Sequence, residues 1–414
     1  MESMNQSETL HIVLAGGGTA GHVNPLLSIA RSIEQLNPQA QVSVIGTAEG
    51  LESRLVPQAG YELDTIDKVP FPRSVKPSTF AFPARFMKQL RMVKEIFTRR
   101  HADVVVGVGG YAAAPAYVQA HAMRVPIVIH EQNARAGMAN KLGARWASFV
   151  GTTYDECGLS VRRTDARMER VGLPLRTVIA KRAEALRKNR EEAKRQAAIE
   201  LGLDPDIPII AITGGSLGAV NVNTAVANAC RELLACAQIV HLTGKGKSAS
   251  VRAVVSTLAG EQALSSLGTS EDSAHTGAGG YHIAEYWENM DAVMAAADLV
   301  LCRSGAGTVA ELTALGVPAV YVPLAIGNGE QVFNAQPVVN AGGGMIVHDD
   351  DFTAGWIKEH VVPLITDKTK LSEMSAVAWE YGRRDAAERM ARIILDLAQA
   401  AVSQASEAKT AEAK

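Results

Sequence analysis

One histidine in this chain has a setting that suits proton transfer. His22 follows the run Gly16-Gly17-Gly18-Thr19-Ala20-Gly21 and precedes Val23-Asn24-Pro25, between a strand-like aliphatic stretch and a helix-like amphipathic one. Glycines at such a turn let backbone N–H groups approach an anion, and the following helix adds the positive end of its dipole. An imidazole at that helix start has a lowered pKa and can act as a neutral base. Gly16, Gly18 and Gly21 also satisfy G-x-G-x-x-G. A dinucleotide site would need an acid at the end of the second strand, where the chain reads Val44-Ile45-Gly46-Thr47. A tight connection with no ligand is the other reading of the same turn.

Two more glycine turns follow strand-like runs: Gly214-Gly215-Ser216-Leu217-Gly218-Ala219 after Ile209 to Thr213, and Arg303-Ser304-Gly305-Ala306-Gly307-Thr308 after Leu299 to Cys302. Three such turns at strand carboxyl ends suggest phosphate held against crevice walls. The absence of a G-x-x-x-x-G-K-[ST] run disfavours a P-loop nucleotidase. Glu311, one turn into the helix after the third turn, can accept from ribose hydroxyls or merely complement the dipole. Asp349-Asp350-Asp351 formally supplies Asp-x-Asp, but it follows a late strand and opens a loop, so no metal role is assigned. Cys157, Cys230, Cys236 and Cys302 form no C-x-x-C or Cys/His cluster, which indicates neither a disulfide framework nor zinc.

Positioning these turns requires alternating strands and helices, hence a parallel sheet. Candidate strands are His11–Ala15, Val42–Ile45, Val104–Val108, Pro126–Ile129 and Phe149–Thr152, then Ile207–Thr213, Ile239–Leu242, Leu299–Cys302, Ala319–Val322 and Met345–Val347. The spacing predicts helices over Asn24–Leu36, Asn221–Leu234 and Val309–Leu315, and a charged solvent-facing helix over Ala180–Glu200. The two sets read as doubly wound halves, residues 1–174 and 175–379, with a boundary near Pro174 and a last helix at about 380–400 packing back on the first half. Residues 264–280 read as a polar loop insertion and 401–414 as a disordered tail.

Composition agrees with an α/β enzyme. The 414 residues exceed a single core, and 36 Gly with 5% aromatic residues point to small aliphatics in strands and Ala-rich helices. Disorder, collagen and coiled coil are excluded on the same grounds. A net charge of -2 from 41 basic and 43 acidic side chains leaves no footprint for nucleic acid. The N-terminal segment has no apolar h-region, and the best uncharged window, Val104 to Ala120, is broken by glycines and Pro115, short of the roughly 20 residues a membrane span needs. A cytoplasmic protein is the expectation.

An ordered set of motifs is more specific than any of these. Gly16 through His22, Gly109-Gly110-Tyr111, His130-Glu131-Gln132-Asn133, Gly214-Gly215-Ser216, Cys302-Arg303-Ser304-Gly305-Ala306, and Glu330-Gln331 with Asn334-Ala335 closely resemble the MurG family of peptidoglycan N-acetylglucosaminyltransferases, over about Leu10 to Leu397. The resemblance implies the GT-B fold, two Rossmann-like domains facing across a cleft. It also implies inverting, metal-independent transfer of GlcNAc from UDP-GlcNAc to the C4 hydroxyl of undecaprenyl-pyrophosphoryl-MurNAc-pentapeptide (lipid I to lipid II), with no cofactor. Carried over, Thr19, Ala20, Gly21 and Asn133 would approach the donor from the first half, and Arg176 and Ser216 would meet the diphosphate. Ala306, Gly307, Thr308, Val309 and Ala310 would supply helix-end contacts, Glu311 would hold the ribose, Gln331 and Asn334 would read the sugar, and Trp287 would present backbone to uracil. Gly18, Tyr111 and Glu131 would meet the acceptor. His22 is the candidate base, with Glu131 second. Leu173 and Leu217 stand where the family often has Asn and Gln, so polar contacts from those positions are lost. A transferase of the same fold acting on another lipid or small aglycone, and a non-catalytic nucleotide-sugar binder, are the alternatives.

A lipid acceptor implies contact with a bilayer. Between Val69 and Arg100 lie five of the eight Phe (Phe71, Phe80, Phe82, Phe86, Phe97) and eight basic residues against Glu95 alone, a local charge of +7. Arg85 and Lys88 with Phe80 and Phe82 are the expected contacts with an anionic membrane surface, each basic residue contributing about 1 kcal/mol. Inward packing is the other reading for Phe86 and Phe97. The expected location is peripheral, on the cytoplasmic face of the cell membrane, with cell-wall or division proteins as further partners.

Overall fold

The structure, a computed structural model, describes residues 9–71, 81–215, 218–267, 280–324 and 329–412. The chain forms two compact units, residues 1–176 with 384–414, and residues 177–383. The first division falls two residues beyond Pro174.

The first unit holds a seven-stranded parallel sheet: β1 (His11–Ala15), β2 (Gln41–Thr47), β3 (Glu62–Ile66), β4 (Val104–Gly107), β5 (Ile127–Glu131), β6 (Phe149–Thr152) and β7 (Arg167–Arg170), in the order 3-2-1-4-5-6-7. Its helices are α1 (Ala20–Leu36), α2 (Glu52–Gln58), α3 (Phe82–Arg100), α4 (Ala113–Ala122) and α5 (Met138–Gly143). Ala15 pairs with both Ile45 and Gly107, so the chain leaves β1, β2 and β4 at one edge of the sheet. Strand order reverses between β1 and β4, which opens a crevice at their carboxyl ends. β1 and β4 are aliphatic because helices cover both faces. The edge strands β3 (ELDTI) and β7 (RMER) are partly charged, and neither stood out in the sequence.

The second unit repeats the plan with β8 (Ile209–Thr213), β9 (Gln238–Leu242), β10 (Leu264–Ser266), β11 (Tyr281–Ala284), β12 (Leu299–Cys302), β13 (Ala319–Tyr321) and β14 (Gly344–Ile346), in the order 10-11-9-8-12-13-14. Its switch point lies between β8 and β12. The helices are α6 (Thr177–Lys188), α7 (Arg190–Glu200), α8 (Val220–Asn228), α9 (Cys230–Leu234), α10 (Ser248–Ala259), α11 (Met290–Ala296), α12 (Ala306–Leu315), α13 (Glu330–Ala341), α14 (Ala354–Trp356), α15 (Val362–Thr366) and α16 (Lys368–Tyr381). The single helix expected over Ala180–Glu200 is two, because Asn189 stops α6 and caps α7 by accepting from the Glu192 amide at 3.2 Å. Leu264–Ser266, expected in a loop insertion, pairs parallel with Tyr281–Ile283 as an edge strand, while 268–279 lie outside the described residues.

The chain returns to the first unit as α17 (Ala386–Glu412). Met390, Ala391, Ile394 and Ala398 join the core that Leu26, Ile29, Ala30 and Ile33 of α1 build over the sheet. Residues 401–412, expected as a disordered tail, are the last turns of this helix. Their Ala, Glu and Lys content favours helix once the packed half has nucleated it.

Candidate active site

At the crevice of the first unit, the turn after β1 needs left-handed backbone at Gly17 (φ 149°) and Gly18 (φ 91°). An internal anion already fills it. Glu52, at the start of α2 and 1% exposed, accepts from the Gly18 amide at 2.6 Å through Oε2, and from the Thr47 amide and hydroxyl at 2.9 and 2.8 Å through Oε1. Burial works to raise its pKa, but these donors outweigh burial and hold it below the ordinary carboxylate value. Gly18 was expected to meet the acceptor. Its amide is committed to Glu52, whose place next to the turn depends on a contact 34 residues apart in sequence.

His22 lies in the first turn of α1. Its Nδ1 is 3.0 Å from Thr19 Oγ1, and a Cβ added to Gly109 would lie 3.2 Å from its Nε2. Burial lowers its pKa and the charge of Glu52 partly restores it, leaving it below the ordinary 6.5. Gly110 (φ 86°) passes so close to the first turn that a Cβ there would meet the Gly17 carbonyl oxygen at 2.6 Å. Thus the turns after β1 and β4 are packed backbone to backbone with His22 beside them. Ala20 and Gly21 are exposed, and Tyr111, 39% exposed, stands with its ring 5.4 Å from Lys68 Nζ.

Glu131, expected as the second candidate base and an acceptor contact, is 1% exposed at the end of β5. Its Oε1 accepts from the Asn133 amide (3.0 Å), and its Oε2 from the Gly137 amide (3.1 Å) and Asn140 Nδ2 (2.9 Å). Burial raises its pKa against these bonds. The geometry makes Glu131 the anchor of the 131–140 loop, since both oxygens are engaged and out of solvent. Asn133, half-buried, is positioned by that anchor. Arg176 is half-buried at the end of the unit.

In the second unit, α12 begins at Ala306 behind Gly305, with no side-chain cap and no acid in its first turn. The amides of Ala306, Gly307 and Thr308 therefore point a helix dipole at the carboxyl end of β12. Val309 donates its amide to the Gly305 carbonyl and buries its side chain in the core, so it offers a ligand nothing; Ala310 and Glu311 are half-buried. Ser304 Oγ is buried with no hydrogen-bond partner among the described residues. Arg303 donates to the carbonyls of Val322 and Pro323 and to Asp349, which also accepts from Asn221 Nδ2 at 2.8 Å. The first acid of the Asp-x-Asp run is thereby tied to the floor of the turn.

Asn334, expected at the sugar, is wholly buried and donates to the Ser304 carbonyl at 3.3 Å, so it shapes the turn instead. Gln331 Oε1 accepts from the Leu324 amide at 3.0 Å, which leaves its NH2 group to donate. Trp287 Nε1 is buried and has no hydrogen-bond partner among the described residues. Ser216 and Phe80 lie outside the described residues. Sequence reasoning missed Glu52, Asn140 and the bracing role of Arg303. Glu52 meets Gly18 and Arg303 meets Asp349 across long chain separations, and Asn140 meets Glu131 only once the loop between them closes; only the position of Glu52 five residues after Thr47 hinted at its role.

The lipid-facing expectation falls on α3. Phe71, Phe82 and Phe86 cluster, with centroids 5.4 to 6.0 Å apart and each half-buried, next to Met87 at 55% exposure. Phe97 is in the core. The +7 count is reduced by acids just upstream: Lys88 pairs with Asp67, Arg99 with Asp64, and Arg100 with Asp64 and Glu62. Arg85, Arg91 and Lys94 are exposed and in no ion pair among the described residues. No helix among those residues is long and apolar enough to cross a membrane.

The glycosyltransferase family 28 N-terminal domain matches residues 12–152 and its C-terminal domain matches residues 209–390. A Bifidobacterium adolescentis protein named "UDP-N-acetylglucosamine--N-acetylmuramyl-(pentapeptide) pyrophosphoryl-undecaprenol N-acetylglucosamine transferase" is 58% identical over 94% of this chain and 98% of its own length. A Streptomyces coelicolor protein of the same name is 41% identical over 94% of this chain and 98% of its own length. The crystal structure of Acinetobacter baumannii MurG matches with a TM-score of 0.72 at 25% identity, covering 94% of this chain and 99% of that one. Glycine turns at two switch points, each with its own buried bracing, and likeness along both halves lead to one assignment: the chain belongs to the MurG family within glycosyltransferase family 28.

Proposed function

We propose that this protein transfers GlcNAc from UDP-GlcNAc to the C4 hydroxyl of undecaprenyl-pyrophosphoryl-MurNAc-pentapeptide, with inversion at the anomeric carbon. The observation that carries this reading is the likeness to the Bifidobacterium protein of that printed activity along nearly the whole of both chains. The site geometry supports a division of labour. On the first unit, His22 Nε2 takes the proton of the C4 hydroxyl while the oxygen's electron pair forms the bond to the anomeric carbon. On the second, the bond from that carbon to UDP breaks with its electrons going to the diphosphate, whose charge meets the amides of Ala306 to Thr308, with Arg176 as the added cation. Glu311 holds the ribose and the NH2 group of Gln331 reads the sugar.

The acceptor reaches the site from a bilayer, and the Phe71, Phe82 and Phe86 cluster with Arg85, Arg91 and Lys94 is the surface we assign to that contact. On this reading the enzyme sits peripherally on the cytoplasmic face of the membrane. The test is UDP release from UDP-GlcNAc by the full chain. Release that requires the muramyl lipid is the expected result, whereas equal release with diacylglycerol or with no acceptor overturns the assignment.

A further inference from the structure

Glu52 belongs to no substrate contact proposed above, yet the first unit is built to bury it. A Cβ on Gly17 would lie 2.3 Å from its carboxyl carbon, one on Gly46 2.5 Å from its Cγ, and one on Gly50 2.0 Å from its Oε2. Three glycines from the turn after β1, from β2 and from the loop before α2 thus leave the space that the carboxylate occupies. A charge so enclosed is tolerated only when its lone pairs are met, and here the Gly18 amide, the Thr47 amide and the Thr47 hydroxyl meet them. Gly18 leads directly into Thr19, whose hydroxyl contacts His22 Nδ1. The order of contacts is therefore carboxylate, turn, hydroxyl, imidazole.

We propose that Glu52 is the positioning residue of this site: its carboxylate fixes the turn that presents Thr19 and His22, and its negative charge balances the imidazolium formed when His22 takes the acceptor's proton. The inference rests on the reading of His22 as the base. Among the described residues Glu52 is the one charge acting on His22; Thr19 on the imidazole's own helix and Gly109 on the neighbouring turn are neutral. Its effect opposes burial, which by itself disfavours the charged imidazole. A dinucleotide-type turn would offer the Gly18 amide to a pyrophosphate; here the protein supplies the anion, and the turn becomes a rigid mount for a base.

The experiment compares Glu52→Gln, Glu52→Asp and His22→Ala in the full chain with UDP-GlcNAc and the muramyl lipid. The readouts are kcat and donor KM separately, the pH profile of kcat, and UDP binding by calorimetry as a check on folding of the second unit. In Glu52→Gln one amide donor must face either Gly18 N–H or Thr47 N–H, so the turn loosens. kcat should fall at least about tenfold with donor KM nearly unchanged. Loss of the negative charge lowers the pKa of His22, so the acid limb should move to lower pH, by about half a unit. Glu52→Asp keeps the charge, and its acid limb should stay at the wild-type position even though kcat falls. Wild-type turnover and an unmoved acid limb in Glu52→Gln overturn the inference and leave His22 in place. Loss of turnover with the same acid limb in the Gln and Asp variants overturns the charge role. Near-normal turnover in His22→Ala overturns the reading of His22 itself and the inference with it.

Discussion

Thr19 Oγ1 lies 3.0 Å from His22 Nδ1 across the first turn of α1, so Nδ1 is engaged within the turn and Nε2 is the ring nitrogen left to face a substrate. For Nε2 to accept a proton, Nδ1 must carry the hydrogen and donate it to the Thr19 hydroxyl. Nε2 is then the nitrogen at Gly109, beside the turn that carries Gly110 and Tyr111. Thr19→Val removes the acceptor and frees the other tautomer, so kcat should drop about tenfold with donor KM within about twofold, and Thr19→Ser should restore it. His22→Ala should lose far more, on the order of a hundredfold or greater in kcat, with donor binding retained. Steady-state kinetics at saturating lipid acceptor separate the two constants; near-normal turnover in His22→Ala removes it from the role of base.

Two other histidines couple the protein's stability to acid. His130 is wholly buried, donating from Nε2 to the Gly172 carbonyl at 2.8 Å while Nδ1 faces Gln132 Nε2 at 3.2 Å, and burial pushes its pKa down to about 4. His241, between Tyr281 OH at 2.8 Å and Asn223 Oδ1 at 3.1 Å, is pushed down to about 3 by burial. Both lie below the ordinary 6.5, so once the pH falls beneath that value the unfolded chain binds protons that the folded one refuses. The stabilisation from keeping them neutral is complete above 6.5 and is lost as pH drops towards 4 and 3. Between pH 7 and pH 5 each should remove about 2 kcal/mol. Denaturant melts at the two pH values measure this, and His130→Gln should flatten the dependence for the first unit; equal stability at both values refutes it.

The sequence reveals the two sheets through their buried strands but not through their edges. β4 (VVVG) and β12 (LVLC) are short apolar runs because helices cover both faces, whereas β3 exposes Glu62 and β7 exposes Arg167 to solvent. The glycine turns are legible because positive φ and close backbone approach leave no other residue type at Gly18 and Gly110. Side-chain roles are less legible. Glu131, the second candidate base by resemblance, is engaged by Asn133, Gly137 and Asn140, and Glu52 does not stand out until tertiary closure brings it to Gly18. Which donors a carboxylate meets depends on how the loop closes for Glu131 and on a contact 34 residues away for Glu52, and neither is encoded in the residue type.

Arg190 holds the far end of the helix assigned to the leaving group. Its guanidinium donates to the Leu315 and Gly316 carbonyls at 3.0 and 3.4 Å, where α12 ends in a left-handed Gly316, and it lies 5.1 Å from the Trp379 ring centroid. Burial holds its pKa below the ordinary value. A cation at a helix carboxyl terminus that also lies over an indole contributes about 1 to 2 kcal/mol. Arg190→Ala should therefore lower the melting temperature of the second unit by several degrees, and Arg190→Lys should recover less than half of it because an ammonium cannot donate to both carbonyls in the fork geometry while lying over the indole. Below the new melting temperature kcat should remain near wild type. A variant with unchanged melting would show that neither the carbonyl bonds nor the cation over the indole contributes.

Membrane contact divides into an apolar and an electrostatic part that can be removed separately. Phe82 and Phe86 stack at 5.5 Å with an interplanar angle of 17°, Phe71 tilts against both, and none of the three is fully buried. A patch of this kind costs little exposed surface in water because the rings cover one another, yet it can open into an interface beside Met87. Phe82→Ser with Phe86→Ser should weaken co-sedimentation with vesicles of any headgroup at least about tenfold. Exchanging Arg85, Arg91 and Lys94 for Gln should abolish the preference for anionic vesicles and its sensitivity to salt, while exchanging Lys88, whose charge is already met by Asp67, should change little. Turnover of a short-chain, water-soluble acceptor should be unaffected by all of these variants, which separates attachment from chemistry. Binding indifferent to both headgroup charge and salt in the wild-type chain would refute the electrostatic part, and binding unchanged in the double Phe variant would refute the apolar one.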